Sequence, residues 1–148
     1  MGFLNWWKNE AENQEESASQ LDLIGDSQQL APQRNRVDGA TVYKRFTKSI
    51  KDNGGGPRSY QRAVSTETEE LFDCNVEQLY KGTGGKQGDR TTLPQAAQEA
   101  YMVNESIAAN ELERQQGSIG GETEKEVDGK IIESVRQTSK QTRKWLPW

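Results

Sequence analysis

Histidine is absent from this chain, and cysteine occurs once, as Cys74. Without histidine there is no Ser-His or Cys-His nucleophile pair and no ordinary general base, and most zinc sites are closed off. A lone cysteine excludes an internal disulfide and any thiolate-rich metal centre. Apolar residues are also scarce. They make up 31% of 148 residues, against roughly 45–50% in ordinary globular chains, a figure that also counts glycine. Such a chain can bury a modest core but cannot order every segment, because polar stretches do not offset their conformational entropy. No apolar run approaches the ~18–20 residues of a membrane span. The opening Phe3-Leu4-Asn5-Trp6-Trp7 is too short, and wrongly flanked, for a signal peptide. Trp6 stands where a myristoylation pattern needs Ser or Thr. These absences point to a cytoplasmic protein that is not an enzyme and carries no cofactor or metal. The formal net charge is −4, so any contact with nucleic acid has to come from a local basic patch.

The residues that are present divide the chain at about position 38. Residues 1–38 hold seven acids and three bases. Their apolar content is confined to the tip Phe3–Trp7 and to Leu21-Asp22-Leu23-Ile24. This reads as a flexible acidic arm with an aromatic tip. Residues 39–148 read as an all-α, small compact helical domain with a long C-terminal helix. Val42, Tyr43, Phe46 and Ile50 share one face of a helix over 40–52, which Asn53-Gly54-Gly55-Gly56-Pro57 terminates. Short helices follow around 59–64 and 68–72, the second capped by Thr66. Asn75 and Gln78 resemble a capping box for a helix through Lys81. A glycine-rich loop over 82–90 precedes a helix from about 94 to 116, capped by Thr92. Its expected buried stripe is Ala97, Ala100, Tyr101, Ile107, Ala108 and Leu112. The last helix covers about 122–146, with Val127, Ile131, Val135, Thr138, Thr142 and Trp145 on a near-heptad seam. The predicted core is Phe46, Ile50, Tyr60, Leu71, Leu79, Tyr101, Ile107 and Leu112. No alternating strand pattern and no internal repeat is present.

Three features invite a functional reading. The loop Gly82-Thr-Gly-Gly-Lys-Gln-Gly-Asp-Arg90 suggests phosphate binding but fails the phosphate-loop pattern, because Tyr80 stands in place of glycine and Gln87 in place of Ser or Thr. It fails the dinucleotide fingerprint as well, since Gln87 is not glycine and no strand precedes it. Lys44, Lys48 and Lys51 recur along one helix face, followed by Arg58 and Arg62. Segment 39–92 carries nine bases and seven acids, so this cluster is the candidate nucleic-acid-binding surface, non-specific and directed at phosphates; the alternative is a solvated helix face. All four tryptophans lie near the ends of the sequence. Trp6, Trp7, Trp145, Leu146 and Trp148 are therefore the candidate partner-binding residues, for a protein partner or for self-association. Packing of the ends on the helical body is one alternative, and membrane-interface insertion of the Phe3–Lys8 tip is another.

Segment 41–142 resembles the C-terminal helical region of DNA-damage-inducible protein D and related phage- and plasmid-borne proteins. The resemblance is carried by Ser59-Tyr60, Glu70-Leu71-Phe72, Val76-Glu77-Gln78-Leu79-Tyr80, Asp89-Arg90 with Leu93-Pro94, Glu105-Ser-Ile-Ala-Ala-Asn-Glu-Leu112 and Val127-Asp128-Gly129-Lys130. The family's long proteins carry a separate N-terminal domain associated with DNA binding, and here the acidic arm stands in its place. The resemblance implies a helical fold and a bacterial DNA-damage, phage or mobile-element setting, and it brings no catalytic residues. The expected function is that of a non-enzymatic adaptor or regulator acting through protein–protein contacts. The alternative is a sequence-independent nucleic-acid-binding protein.

Overall fold

The computed structural model describes residues 2–10, 12, 25–117, 119–121 and 123–148, and from 25 to 38 the backbone alone. Residues 3–10 form helix α1. There follow α2 (Gly25–Asp52), α3 (Pro57–Phe72), α4 (Val76–Thr83), a 3₁₀ turn at Arg90–Thr92, α5 (Gln95–Arg114) and α6 (Glu124–Arg143). No strand occurs among the described residues, so the all-α class expected from the sequence is the observed one. No helix among them is long and apolar enough to cross a membrane.

Local chemistry sets the boundaries. Asn53 ends α2 by donating from Nδ2 to Ser49 O at 2.9 Å and to Leu112 O at 2.8 Å, which ties this end to α5. Gly54 then takes a left-handed φ of 89°, a conformation open to glycine at no steric cost. A Cβ on Gly55 would lie 2.6 Å from Ile50 Cγ2 and 2.9 Å from Ile50 O, so the chain can turn back here only without a side chain. Pro57 opens α3, and the cap comes from another helix: Asp128 of α6 accepts from Gly56 N at 3.2 Å and from Ser59 Oγ. The Asn75–Gln78 capping box is present. On α6, Thr123 Oγ1 accepts from Glu126 N at 3.2 Å, with acids in the first turn and bases in the last, as the helix dipole favours.

α2 packs on α5, α3 on α6, and α5 on α6. Two apolar clusters result. One joins Phe3, Leu71, Phe72, Leu79, Tyr80, Leu93, Ala97, Ala100 and Tyr101. The other joins Phe46, Ile50, Ala63, Ala108, Ala109, Leu112, Ile131, Ile132 and Val135. Both α3 and α5 run through both clusters, and at the crossing point they carry buried Glu67 and Thr68 (α3) and Asn104 and Glu105 (α5). Ser139 of α6 meets them there. The core is thus two apolar layers divided by a polar one.

The structure corrects several expectations. α2 runs from Gly25 rather than from near 40, and at the aromatic tip of the expected acidic arm α1 buries Phe3 fully. The part of that arm from 13 to 24 lies outside the described residues. The two short helices around 59–64 and 68–72 are one continuous α3, with Thr66 inside it rather than at a cap. Pro94, not Thr92, is the N-cap residue of α5. Ile107, expected in the core, is 46% exposed, while Asn104 and Glu105 take the buried positions. Trp145 leaves the α6 seam and is 88% exposed.

Candidate functional site

The polar layer is built from the 3₁₀ turn inward. Asp89 accepts from Thr91 N at 3.1 Å and from Thr91 Oγ1 at 2.5 Å. Thr92 Oγ1 accepts from Lys86 N at 2.8 Å and donates to Asp89 O at 2.6 Å. This cross-bracing of loop 84–92 fixes the direction of Arg90. Its Nη1 and Nη2 donate to Glu105 Oε1 and Oε2 at 2.6 and 2.8 Å, a bidentate pair whose carboxylate is wholly buried. The guanidinium carbon lies 4.6 Å from the Tyr43 ring centre and 4.1 Å from that of Tyr101, inside cation–π range of both. Burial alone would depress the Arg90 pKa, but the charge of Glu105 and the hydrogen bonds to it raise it overall. Arg90 is therefore a fixed cation.

Glu67 is the other buried carboxyl. Its Oε1 accepts from Asn104 Nδ2 at 3.2 Å, and Asn104 Nδ2 also donates to Ser139 Oγ at 3.0 Å. Burial, then the neighbouring charge of Glu105, holds the Glu67 pKa well above its ordinary value. As an ionised group Glu67 would leave Oε2 without a donor. As a neutral acid it carries a proton to offer the Glu105 carboxylate. Thr68 Oγ1 donates to Val64 O at 2.7 Å, so the 2.6 Å contact with Tyr101 has the phenol as donor. Burial raises the pKa of Tyr101, and also those of Tyr43 and Tyr80, which keeps these hydroxyls protonated.

A cavity of about 500 Å³ opens beside this layer. Tyr43, Tyr80 and Tyr101 supply rings to its wall, Val64, Val76 and Met102 supply aliphatic surface, and Arg90, Glu105 and Gln98 supply polar groups. Both Glu105 oxygens are held by Arg90, and Glu67 does not reach the wall, so neither carboxyl is presented for proton transfer. Cys74 offers no activated nucleophile. Burial, reinforced by Asp73, pushes its thiol up to about 11, the opposite of a reactive cysteine. No cluster of three potential metal ligands occurs among the described residues.

The residues singled out in the sequence fare differently from one another. Lys44, Lys48, Lys51, Arg58 and Arg62 are all exposed. Acids are interleaved among them: Lys48 pairs with Asp52 at 2.7 Å, neighbouring Arg45 pairs with Glu113 at 2.7 Å, and the Glu124 carboxylate lies over Gly56, two residues before Arg58. The aromatic ends mostly pack on each other. Phe3 lies 4.7 Å from Trp148 and 5.1 Å from Phe72, and Trp6 lies 5.0 Å from Trp148. Trp148 Nε1 donates to Leu71 O at 2.6 Å, and Arg143 Nε donates to Trp148 O at 3.2 Å. Trp7 and Leu146 are half-buried against the same cluster. Of the five candidate docking residues, only Trp145 stands out in solvent.

Trp145 is not isolated there. Among the described residues the exposed large hydrophobics are Val103, Ile107 and Trp145. One groove between α5 and α6 is lined by Ile107, Thr138, Thr142 and Trp145, and a second, beside it, by Val103, Ile107, Trp145 and Leu146. The three side chains therefore form one apolar face.

No family model and no curated protein matches this chain.

Sequence reasoning missed Glu67, Arg90, Asn104, Glu105 and Ser139 as a cluster. A signal was present: Asn104 and Glu105 fall at the step between Tyr101 and Ala108 where the α5 stripe requires buried residues. The spacing of positions carries that information, and the polarity of the residues hides it.

Proposed function

We propose that this protein is a non-enzymatic adaptor or regulator that binds a partner protein through the α5/α6 face centred on Trp145. One observation carries the reading: the three large hydrophobics left exposed among the described residues converge on two adjoining grooves. A chain poor in apolar residues half-buries Trp6, Trp7 and Trp148, yet leaves Trp145 88% exposed. A contiguous apolar patch of this kind marks a contact surface more often than an accident of packing, and tryptophan is the residue most enriched among binding hot spots. The resemblance to the helical region of DNA-damage-inducible protein D supplies the setting, a bacterial DNA-damage or mobile-element process.

The test is recovery of bound protein from host extract, before and after DNA damage, by the wild type and by Trp145→Ala/Ile107→Glu. The expected result is an unchanged melting temperature, a partner enriched after damage, and loss of that partner in the variant at both low and high salt. Recovery of the same proteins by the folded variant would overturn the proposal. A partner released by salt alone would point instead to phosphate contacts through Lys44, Lys48, Lys51, Arg58 and Arg62.

A further inference from the structure

The cavity beside the polar layer is remote in character from the α5/α6 face, and its chemistry is selective. We infer that it binds a nucleobase, with guanine the best fit. Three observations combine. The first is shape: about 500 Å³ walled by three tyrosine rings and by Val64, Val76 and Met102 suits a flat apolar body, and aromatic side chains are the usual platforms for bases. The second is Arg90. Of its five N–H donors, two are used by Glu105, and the described residues supply no acceptor for the other three. The guanidinium is held between Tyr43 and Tyr101 by its two-pronged pair with Glu105, so these donors are oriented before any ligand arrives and little freedom is lost on binding. The third is charge. Glu105 cancels Arg90 at 2.6 Å, so the site has no surplus positive charge for a bare phosphate or carboxylate and favours a neutral acceptor.

A planar, neutral ring with adjacent acceptors describes a nucleobase, and the N7 and O6 of guanine are the commonest base partners of arginine. Gln98 completes the match. Its Nε2 donates to Leu93 O at 2.8 Å, and since Gln98 lines the cavity we assign its Oε1 as the acceptor for the ring N–H or exocyclic amine of guanine. Adenine offers N7 beside a donor amine, which a guanidinium cannot pair with in the same way.

The base could belong to a free nucleotide or to an unpaired residue of a single strand, and titration separates the two. Guanosine monophosphate, adenosine monophosphate, ribose 5-phosphate and a twelve-nucleotide thymidine strand with one central guanine are titrated against the full chain, with amide and Gln98 side-chain NMR shifts as the readout. Guanosine monophosphate is expected to shift Gln98 and the residues around Arg90, with adenosine monophosphate about tenfold weaker or more and ribose 5-phosphate silent. Strand affinity more than about tenfold above the nucleotide's assigns the site to single strands, and equal affinity assigns it to nucleotides. Ala40→Trp places a large ring at an exposed position on the cavity wall and so blocks the site without touching the core. It is expected to abolish the shifts at unchanged melting temperature, and Trp145→Ala is expected to leave them intact. Binding of ribose 5-phosphate as strong as that of the nucleotide, no shift by any ligand at about 1 mM, or full binding by a folded Ala40→Trp protein would each overturn the inference.

Discussion

Glu67 is the residue whose protonation the fold controls most directly. It lies in the middle of α3, wholly buried, with the charge of Glu105 beside it. Its pKa is raised above the ordinary 4.5, so the native state holds a proton that the unfolded chain releases near 4.5. The stability this contributes is complete below that pH and is lost as pH rises through the higher native value, with a slope of at most about 1.4 kcal/mol per pH unit. Glu67→Gln keeps the shape, can still accept from Asn104 and can donate to Glu105 without a titrating proton. Chemical denaturation of both proteins from pH 4 upward is expected to give a difference that grows in favour of the glutamine variant as pH rises. A constant difference across that range would show that folding does not shift the Glu67 pKa. Arg90 is the complementary case. Arg90→Ala leaves Glu105 buried without its cation, at a cost of about 3–5 kcal/mol. Arg90→Lys should recover only part of this, because one ammonium cannot make the two-pronged contact. A loss below about 1 kcal/mol for Arg90→Ala would show the pair to be dispensable, as exposed pairs are.

At the scale of elements, the polar layer explains how weakly patterned helices find one alignment. α3 and α5 each carry apolar residues on both sides of it, and a slip by one turn would place Glu67 or Asn104 among aliphatic side chains without partners. Buried polar groups used in this way fix register at some expense of stability. The α2–α3 turn is the other fixed point. Gly55→Ala would drive a Cβ to 2.9 Å from the Ile50 carbonyl, backbone that cannot swing aside, and should cost about 1–3 kcal/mol. Gly129→Ala, where nothing lies within 4 Å, should instead stabilise α6 by about 0.5–1 kcal/mol through helix propensity. Thermal melts of the two variants are expected to move in opposite directions, and a shift of the same sign in both would refute this account. Much at this scale was legible in the sequence. The Asn75 capping box, the stop after Asp52 and the Val127–Thr142 seam follow from spacing and cap chemistry alone. What was not legible depended on another element. α3 continues through Ser65 and Thr66 because its cap is supplied by Asp128 and its inner face is covered by α6. Thr92 is drawn from its capping role into the 84–92 loop. On α5, polar residues occupy the buried stripe and Ile107 does not, so an apolar-only reading chose the wrong face for that residue.

For the whole molecule the decisive contact is between the two ends of the sequence. α1 lies on α4, with Leu4 against Gly82, where a Cβ would come within 2.6 Å of its side chain. Phe3 inserts its ring among Phe72, Trp148 and Trp6 at centroid separations of 5.1, 4.7 and 5.9 Å. Trp148 is fastened independently, by Nε1 to Leu71 O and by its carbonyl to Arg143, which also holds Asp73 at 2.9 Å. Residues remote in sequence thus close one aromatic cluster over the ends of α3 and α5. Phe3→Ala should cost about 3–5 kcal/mol, a fall of roughly 2–4 °C in melting temperature for each kcal/mol in a domain of this size. Trp148→Ala should cost a similar amount. Because the two rings touch, their losses should not add, and a double-mutant cycle is expected to return a coupling of about 0.5–3 kcal/mol. Trp145→Ala, at a side chain 88% exposed, should change stability by no more than about 0.5 kcal/mol. The three variants together separate the aromatic ends into a structural part and a free part. Additive losses for Phe3 and Trp148 would mean that the two ends pack on the body separately. A large loss for Trp145→Ala would mean that this tryptophan belongs to the core, and its role in the proposed α5/α6 contact would have to be given up.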